Sequence, residues 1–334
     1  MVKIAVVGAK ENLGREILGI LSENDVNAQD VIALESKSPL GTLVSYNDDE
    51  DLDVLNLDDF DFSKADIVLF ACNQEIAKRF LPKAASKGVQ ILDCSGAAAT
   101  DADVPMVVAG LNDEEVKNAK KNIVSVPMAV VTQILKPLIK VNEKYGLIRL
   151  VLSAYVSTSF HSREAMDELF AQTRKVYMNE PLVDDEEIFK KQIAFNVLPQ
   201  VGDFIGEETE VEWAINAQVK KVLGGNMKVH ANLAYVPTFI GAGIFTNVET
   251  LKDVDVTDVQ KLMKETDGVV VFDKQTEGGY VSVSDVQGEN DIYVSRLRQD
   301  VSAEKGFSFW SVADNLRADC ARNAFDVMKL MLQK

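Results

Sequence analysis

The chain has 334 residues, 47% of them hydrophobic, which is enough for two domains with substantial cores and is unlike a fibrous or disordered composition. A net charge of -17 repels phosphate backbones and anionic membrane surfaces, so neither nucleic acid nor membrane is an expected partner. Three cysteines without metal-ligand spacing and two histidines argue against a disulfide framework and a zinc site.

The first segment, "VKIAVVG" at 2–8, is a β-branched run of the length of a buried parallel strand, and the sequence enters it without the features of a signal peptide. No apolar run approaches the roughly 18 residues of a membrane span. The expected location is cytoplasmic. "NLGREILGILSEN" follows with Leu13, Ile17, Leu18 and Leu21 at helical spacing. Strand patterns recur at 30–36, 65–72, 89–96 and 122–127, with helix-like segments at 75–88 and 113–121 between the later pairs. This alternation predicts a parallel, doubly wound sheet over residues 1–129. Within it, "NDDEDLDVLNLDDFD" at 47–61 carries eight acidic residues and reads as a solvated loop.

Beyond residue 130 the character changes. Half-polar strands at 147–158, 228–250, 268–274 and 291–300, with helices at 162–178, 208–223 and 256–265, predict an α+β domain spanning 130–312. The last segment, 313–334, places Leu316, Cys320, Ala324, Val327, Met328 and Met331 on one stripe and reads as a helix that must dock on something.

The first turn, "GAKENLG", sits between strand and helix with Gly8 and Gly14 at the ends of a dinucleotide-binding frame. Glu11 occupies the central position, where its charge opposes a pyrophosphate unless it rotates away or caps the helix itself. Lys10, Asn12 and Leu13 complete the candidate turn. Glu35, about 20 residues on, suits the ribose hydroxyls of NAD, whereas Lys37 suits the 2′-phosphate of NADP. The two residues point to different cofactors. Asn315 in "VADNLR" completes the cofactor-binding candidates.

In order and spacing, "VPMVVAGLN", "SAYVSTSFHS", "AMDEL", "AFNVLPQVGDF" and "VADNLR" resemble the framework of the aspartate-semialdehyde dehydrogenase family over nearly the whole chain. The likeness is greatest to divergent bacterial paralogues that accompany an active enzyme. It implies a Rossmann-type N-terminal sheet, an α+β dimerisation domain, a final helix at 313–334 that returns to the first domain, and a homodimer formed through the second domain.

The family's reaction uses a cysteine thiolate, a histidine that moves protons, NADP, phosphate, and arginines that hold the anions. On this resemblance the cysteine position is Ala129, at the start of a helix after "VPM". The substrate arginine becomes Tyr235 and the histidine becomes Ala242. The Tyr-Gln pair becomes Tyr155 and Val156, the phosphate arginine becomes Ala99, and a lysine becomes Ala214. By itself Ala129 is also an ordinary choice for a helix.

The expectation is a catalytically inactive family member with an interaction or regulatory role, binding NAD or NADP weakly and serving a protein or small-molecule partner that the residues do not name. The alternative is an NAD(P)-dependent oxidoreductase of amino-acid biosynthesis with chemistry relocated to Cys94 or His161.

Overall fold

The computed structural model describes residues 2–181 and 188–333, and Lys334, the last residue of the expected final helix, lies outside them. The chain divides into two compact units, residues 1–128 with 320–334, and residues 129–319. No helix among the described residues is long and apolar enough to cross a membrane.

The first unit is built on β1 (Ile4–Val7), α1 (Asn12–Glu23), β2 (Val31–Glu35), β3 (Leu43–Ser45), β4 (Asp51–Asn56), β5 (Ile67–Phe70), α2 (Gln74–Ala85), β6 (Gln90–Asp93) and β7 (Ile123–Ser125). The sheet order is β3-β4-β2-β1-β5-β6-β7, and every pairing except β3 with β4 is parallel. Its central strands are apolar on both faces because helices cover both. One face forms a core with α1 and the end of the chain, and the other a core that includes Phe80 and Leu81 of α2. Residues 113–118 form a 3-10 helix rather than a full α-helix.

The acidic segment 47–61 is not a loop throughout. Asp51–Asn56 is strand β4, with Leu52 and Val54 buried and the intervening Asp51, Asp53 and Leu55 exposed. The charges occupy the solvated face of a two-residue period, which hides the strand in a reading by composition.

The second unit contains α3 (Ala129–Leu135), α4 (Ile139–Tyr145), β8 (Leu147–Val156), α5 (Arg163–Met178), a short hairpin β9 (Phe204–Ile205) and β10 (Glu208–Thr209), and α6 (Glu210–Leu223). It continues through β11 (Lys228–Tyr235), β12 (Ala242–Thr250), α7 (Val256–Lys264), β13 (Val269–Val271), β14 (Ile292–Gln299) and β15 (Gly306–Ala313). Its main sheet runs β11-β8-β12-β15-β14-β13. The expected strand 228–250 is two strands, broken around Pro237, and β15 is an additional strand. Consequently 313–316 belongs to a strand end and a turn. The Asp314 carboxylate accepts the N–H groups of Leu316 and Arg317, and α8 (Arg322–Leu332) begins only after a π-turn at Arg317–Ala321.

From α8, Ala324, Val327, Met328 and Met331 enter the first unit's core as the stripe predicts, joined by Phe325. Asn323 fixes the helix by accepting from Ala109 N–H at 2.9 Å and donating to the Val107 carbonyl at 3.3 Å. Gln90 donates to the Met331 carbonyl at 3.1 Å.

Apolar side chains of this sheet and its adjoining loop divide between buried and exposed positions. Ala154, Val156, Leu233 and Tyr235 are buried, whereas Tyr155 and Phe239 are exposed. Alternation along a strand assigns neighbours to opposite faces. The outward face of the sheet instead carries Tyr155, Trp310 and Phe245, with ring centroids 6.4 Å apart for the first pair and 4.7 Å for the second.

Candidate functional site

In the first unit, the β1–α1 turn depends on its two glycines for packing. Gly8 has φ +84°, and a Cβ there would stand 2.6 Å from the Ala71 carbonyl oxygen. A Cβ on Gly14 would stand 1.9 Å from the Gly8 carbonyl oxygen. Close approach of strand, turn and helix therefore suffices to require both. Glu11 is the N-cap residue of α1 but makes no side-chain capping bond, so it does not take over the helix N-terminus. Leu13 packs on the core, Gly14 is buried, and Asn12 is the first residue of the helix.

At the end of β2 the Glu35 carboxylate is held by two backbone donors, Lys10 N–H and Ser36 N–H, each at 3.2 Å. Lys37 has φ +55° and an exposed side chain. A groove of about 440 Å³ opens here, lined by Glu11, Glu35, Ser36, Lys37, Glu75, Ile76 and Arg79. Arg79 is ion-paired with Asp58. These residues fit the adenosine end of a dinucleotide, with a fixed carboxylate beside the helix N-terminus.

After β6, the buried Asp93 accepts from Ser95 N–H at 3.0 Å, from the Ser95 hydroxyl at 2.5 Å and from Ala98 N–H at 2.7 Å. This orders the turn that includes Ala99. Cys94 packs against the core shared with the final helix. Burial, followed by the Asp93 carboxylate, pushes its thiol well above the ordinary cysteine value. Burial also pushes Cys72 up to about 12. Neither environment favours a thiolate.

In the second unit, three of the positions assigned by resemblance lie side by side. Tyr235 on β11 pairs with Val156 on β8, and Val156 pairs with Ala242 on β12. The three therefore form one row across adjacent strands. Ala129 begins α3, and one turn later Gln133 donates from its side chain to the Ala242 carbonyl at 3.1 Å and to the Ser311 hydroxyl at 3.2 Å. Ala129, Val156, Tyr235 and Ala242 are 4%, 0%, 5% and 0% exposed. None of the four carries a nucleophilic thiol, an imidazole or a permanent cation.

Tyr235 is packed in an aromatic group, with its ring centroid 5.1 Å from Phe189 and 6.5 Å from His161. Burial raises the pKa of its hydroxyl, so the side chain is neutral. Phe189 lies far from Tyr235 in sequence and has no local motif, and neither it nor Gln133 was among the sequence candidates. Asn315 is also buried, its side-chain carbonyl accepting from Gly241 N–H at 2.7 Å and from the Ser159 and Ser157 hydroxyls at 3.0 and 3.4 Å. His161 belongs to the second unit and Cys94 to the first.

A model of the semialdehyde dehydrogenase NAD binding domain matches residues 3–119, and one of the semialdehyde dehydrogenase dimerisation domain matches residues 135–318. The chain belongs to the semialdehyde dehydrogenase family. It is similar to the aspartate-semialdehyde dehydrogenase of Rickettsia bellii, at 35% identity over 99% of this chain and 97% of that protein. The Aquifex aeolicus enzyme of the same name is 30% identical over 99% of this chain and 98% of its own. Among solved structures, aspartate semialdehyde dehydrogenase II from Vibrio cholerae, complexed with ASA, superposes with a TM-score of 0.94 at 28% identity. The match covers 100% of this chain and 99% of that one. The fold class and family expected from the sequence both stand.

Proposed function

We propose that this chain keeps the semialdehyde dehydrogenase fold without its dehydrogenase chemistry, and acts as a dinucleotide-binding homodimer with a regulatory or interaction role. The observation that carries this reading is the row Tyr235–Val156–Ala242 beside the helix that starts at Ala129. The positions that the resemblance assigns to catalysis hold an alanine for the thiol, an alanine for the imidazole and a buried, neutral tyrosine for the guanidinium. Covalent catalysis has no partial form, so loss of the nucleophile alone costs several orders of magnitude in rate.

Relocation of the chemistry to Cys94 is opposed by its raised thiol pKa. The match to the dimerisation domain and the aromatic outer face of the second sheet support a homodimer. The test is a coupled assay of purified protein with aspartate semialdehyde, phosphate and NAD or NADP, alongside binding titrations without substrate. Binding without turnover is the expected result. Turnover abolished by Cys94→Ser would establish relocated chemistry instead.

A further inference from the structure

The dinucleotide groove of the first unit has an unusual charge arrangement for a ligand that carries phosphate. Three carboxylates, Glu11, Glu35 and Glu75, line it against two cations, Lys37 and Arg79. Arg79 is already paired with Asp58, so Lys37 is the groove's remaining cation among the described residues. Glu35 is fixed rather than mobile. One of its oxygens accepts from Lys10 N–H and the other from Ser36 N–H, both at 3.2 Å. A carboxylate oxygen has more than one acceptor direction, so each retains capacity for a hydroxyl donor. A vicinal ribose diol supplies two such donors. A 2′-phosphate supplies none when ionised and brings further negative charge to the same point.

We propose that Glu35 is a specificity residue that accepts the adenosine ribose hydroxyls of NAD and excludes NADP. Lys37 does not reverse this preference. Its side chain is exposed, where a single solvated cation contributes little, whereas Glu35 is backed by Glu11 and Glu75. The inference rests on the reading that the first unit still binds a dinucleotide, and it concerns affinity alone.

The test is calorimetric titration of the full chain with NAD and with NADP, without any aldehyde, at fixed ionic strength. The wild-type protein is expected to bind NAD at least about tenfold more tightly than NADP, a difference of roughly 1.4 kcal/mol or more. Glu35→Ser should weaken NAD binding, strengthen NADP binding and bring the ratio close to unity. Glu35→Gln keeps an acceptor oxygen and should lose most of the NADP penalty with a smaller loss of NAD affinity. A merely structural role for Glu35 would weaken both nucleotides together.

Equal or tighter NADP binding by the wild type, an unchanged ratio in Glu35→Ser, or no binding of either nucleotide at millimolar concentration would overturn the proposal. None of these outcomes bears on loss of dehydrogenase chemistry, which is read by turnover. Turnover in the coupled assay would overturn that reading and leave the NAD preference standing.

Discussion

Gln133 donates its side-chain amide to the Ala242 carbonyl at 3.1 Å, tying the helix that begins at Ala129 to strand β12. The same amide reaches Ser311 on β15. Both bonds are buried, so removing the donor leaves unsatisfied groups with no access to water. Gln133→Ala is expected to destabilise the protein by about 2–3 kcal/mol. Urea denaturation with an unchanged m-value would measure it, and a loss below ~0.5 kcal/mol would mean that the tie is unimportant.

The glycine turn gives a second expectation. Gly14→Ala forces a Cβ to within 1.9 Å of backbone and should cost about 3 kcal/mol or more, or prevent folding. Gly41→Ala meets no atom within 4 Å and bears only its φ of +79°, for a cost of about 1 kcal/mol. Thermal melts of the two variants should separate clearly. Equal midpoints would contradict the close approach at Gly14.

The outer face of the second sheet should carry the dimer contact. A charge at Tyr155, as in Tyr155→Asp, is expected to shift light scattering from twice the chain mass to 36.7 kDa while the fold persists. A charge at the buried Leu233 should unfold the protein instead, because that side chain lies within the chain's own core. A wild-type mass of 36.7 kDa at micromolar concentration would remove the dimer from the account.

Alkaline pH should weaken the fold through Cys72. Its ordinary value is 9.0 and burial raises it to about 12, so above pH 9 the unfolded thiol ionises while the folded one stays protonated. The unfolded state then binds fewer protons, and stability falls with rising pH by roughly 1.4 kcal/mol per unit for such a group. The fall continues until the folded thiol itself titrates. Denaturation midpoints at pH 8, 9 and 10 should decline more steeply for the wild type than for Cys72→Ser. Parallel lines would show that the thiol is not buried as described.

Much of this architecture is legible from periodicity, and the departures have physical causes. The parallel strands of the first unit announce themselves as short apolar runs because both faces are covered. Strand β4 does not, since Asp51 and Asp53 alternate with Leu52 and Val54 and the charge dominates a reading by composition. β15, "GFSFWSVA", is buried along most of its length and lacks an alternating pattern, so its end merges with the helix that follows. Ala129, Tyr235 and Ala242 are assigned to catalytic positions by resemblance alone, through the framework motifs around them. The packing of Tyr235 on Phe189 could not be read from the sequence, because a contact between distant segments leaves no local signal.

The central claim is the loss of dehydrogenase chemistry, and its most direct measurement is steady-state NADPH or NADH formation by purified protein with aspartate semialdehyde and phosphate. No rate above background is expected, and none from Ala129→Cys, because Ala242, the position that the resemblance assigns to the histidine, offers no proton acceptor. Turnover by the wild-type chain at a rate comparable to an active family member would contradict it.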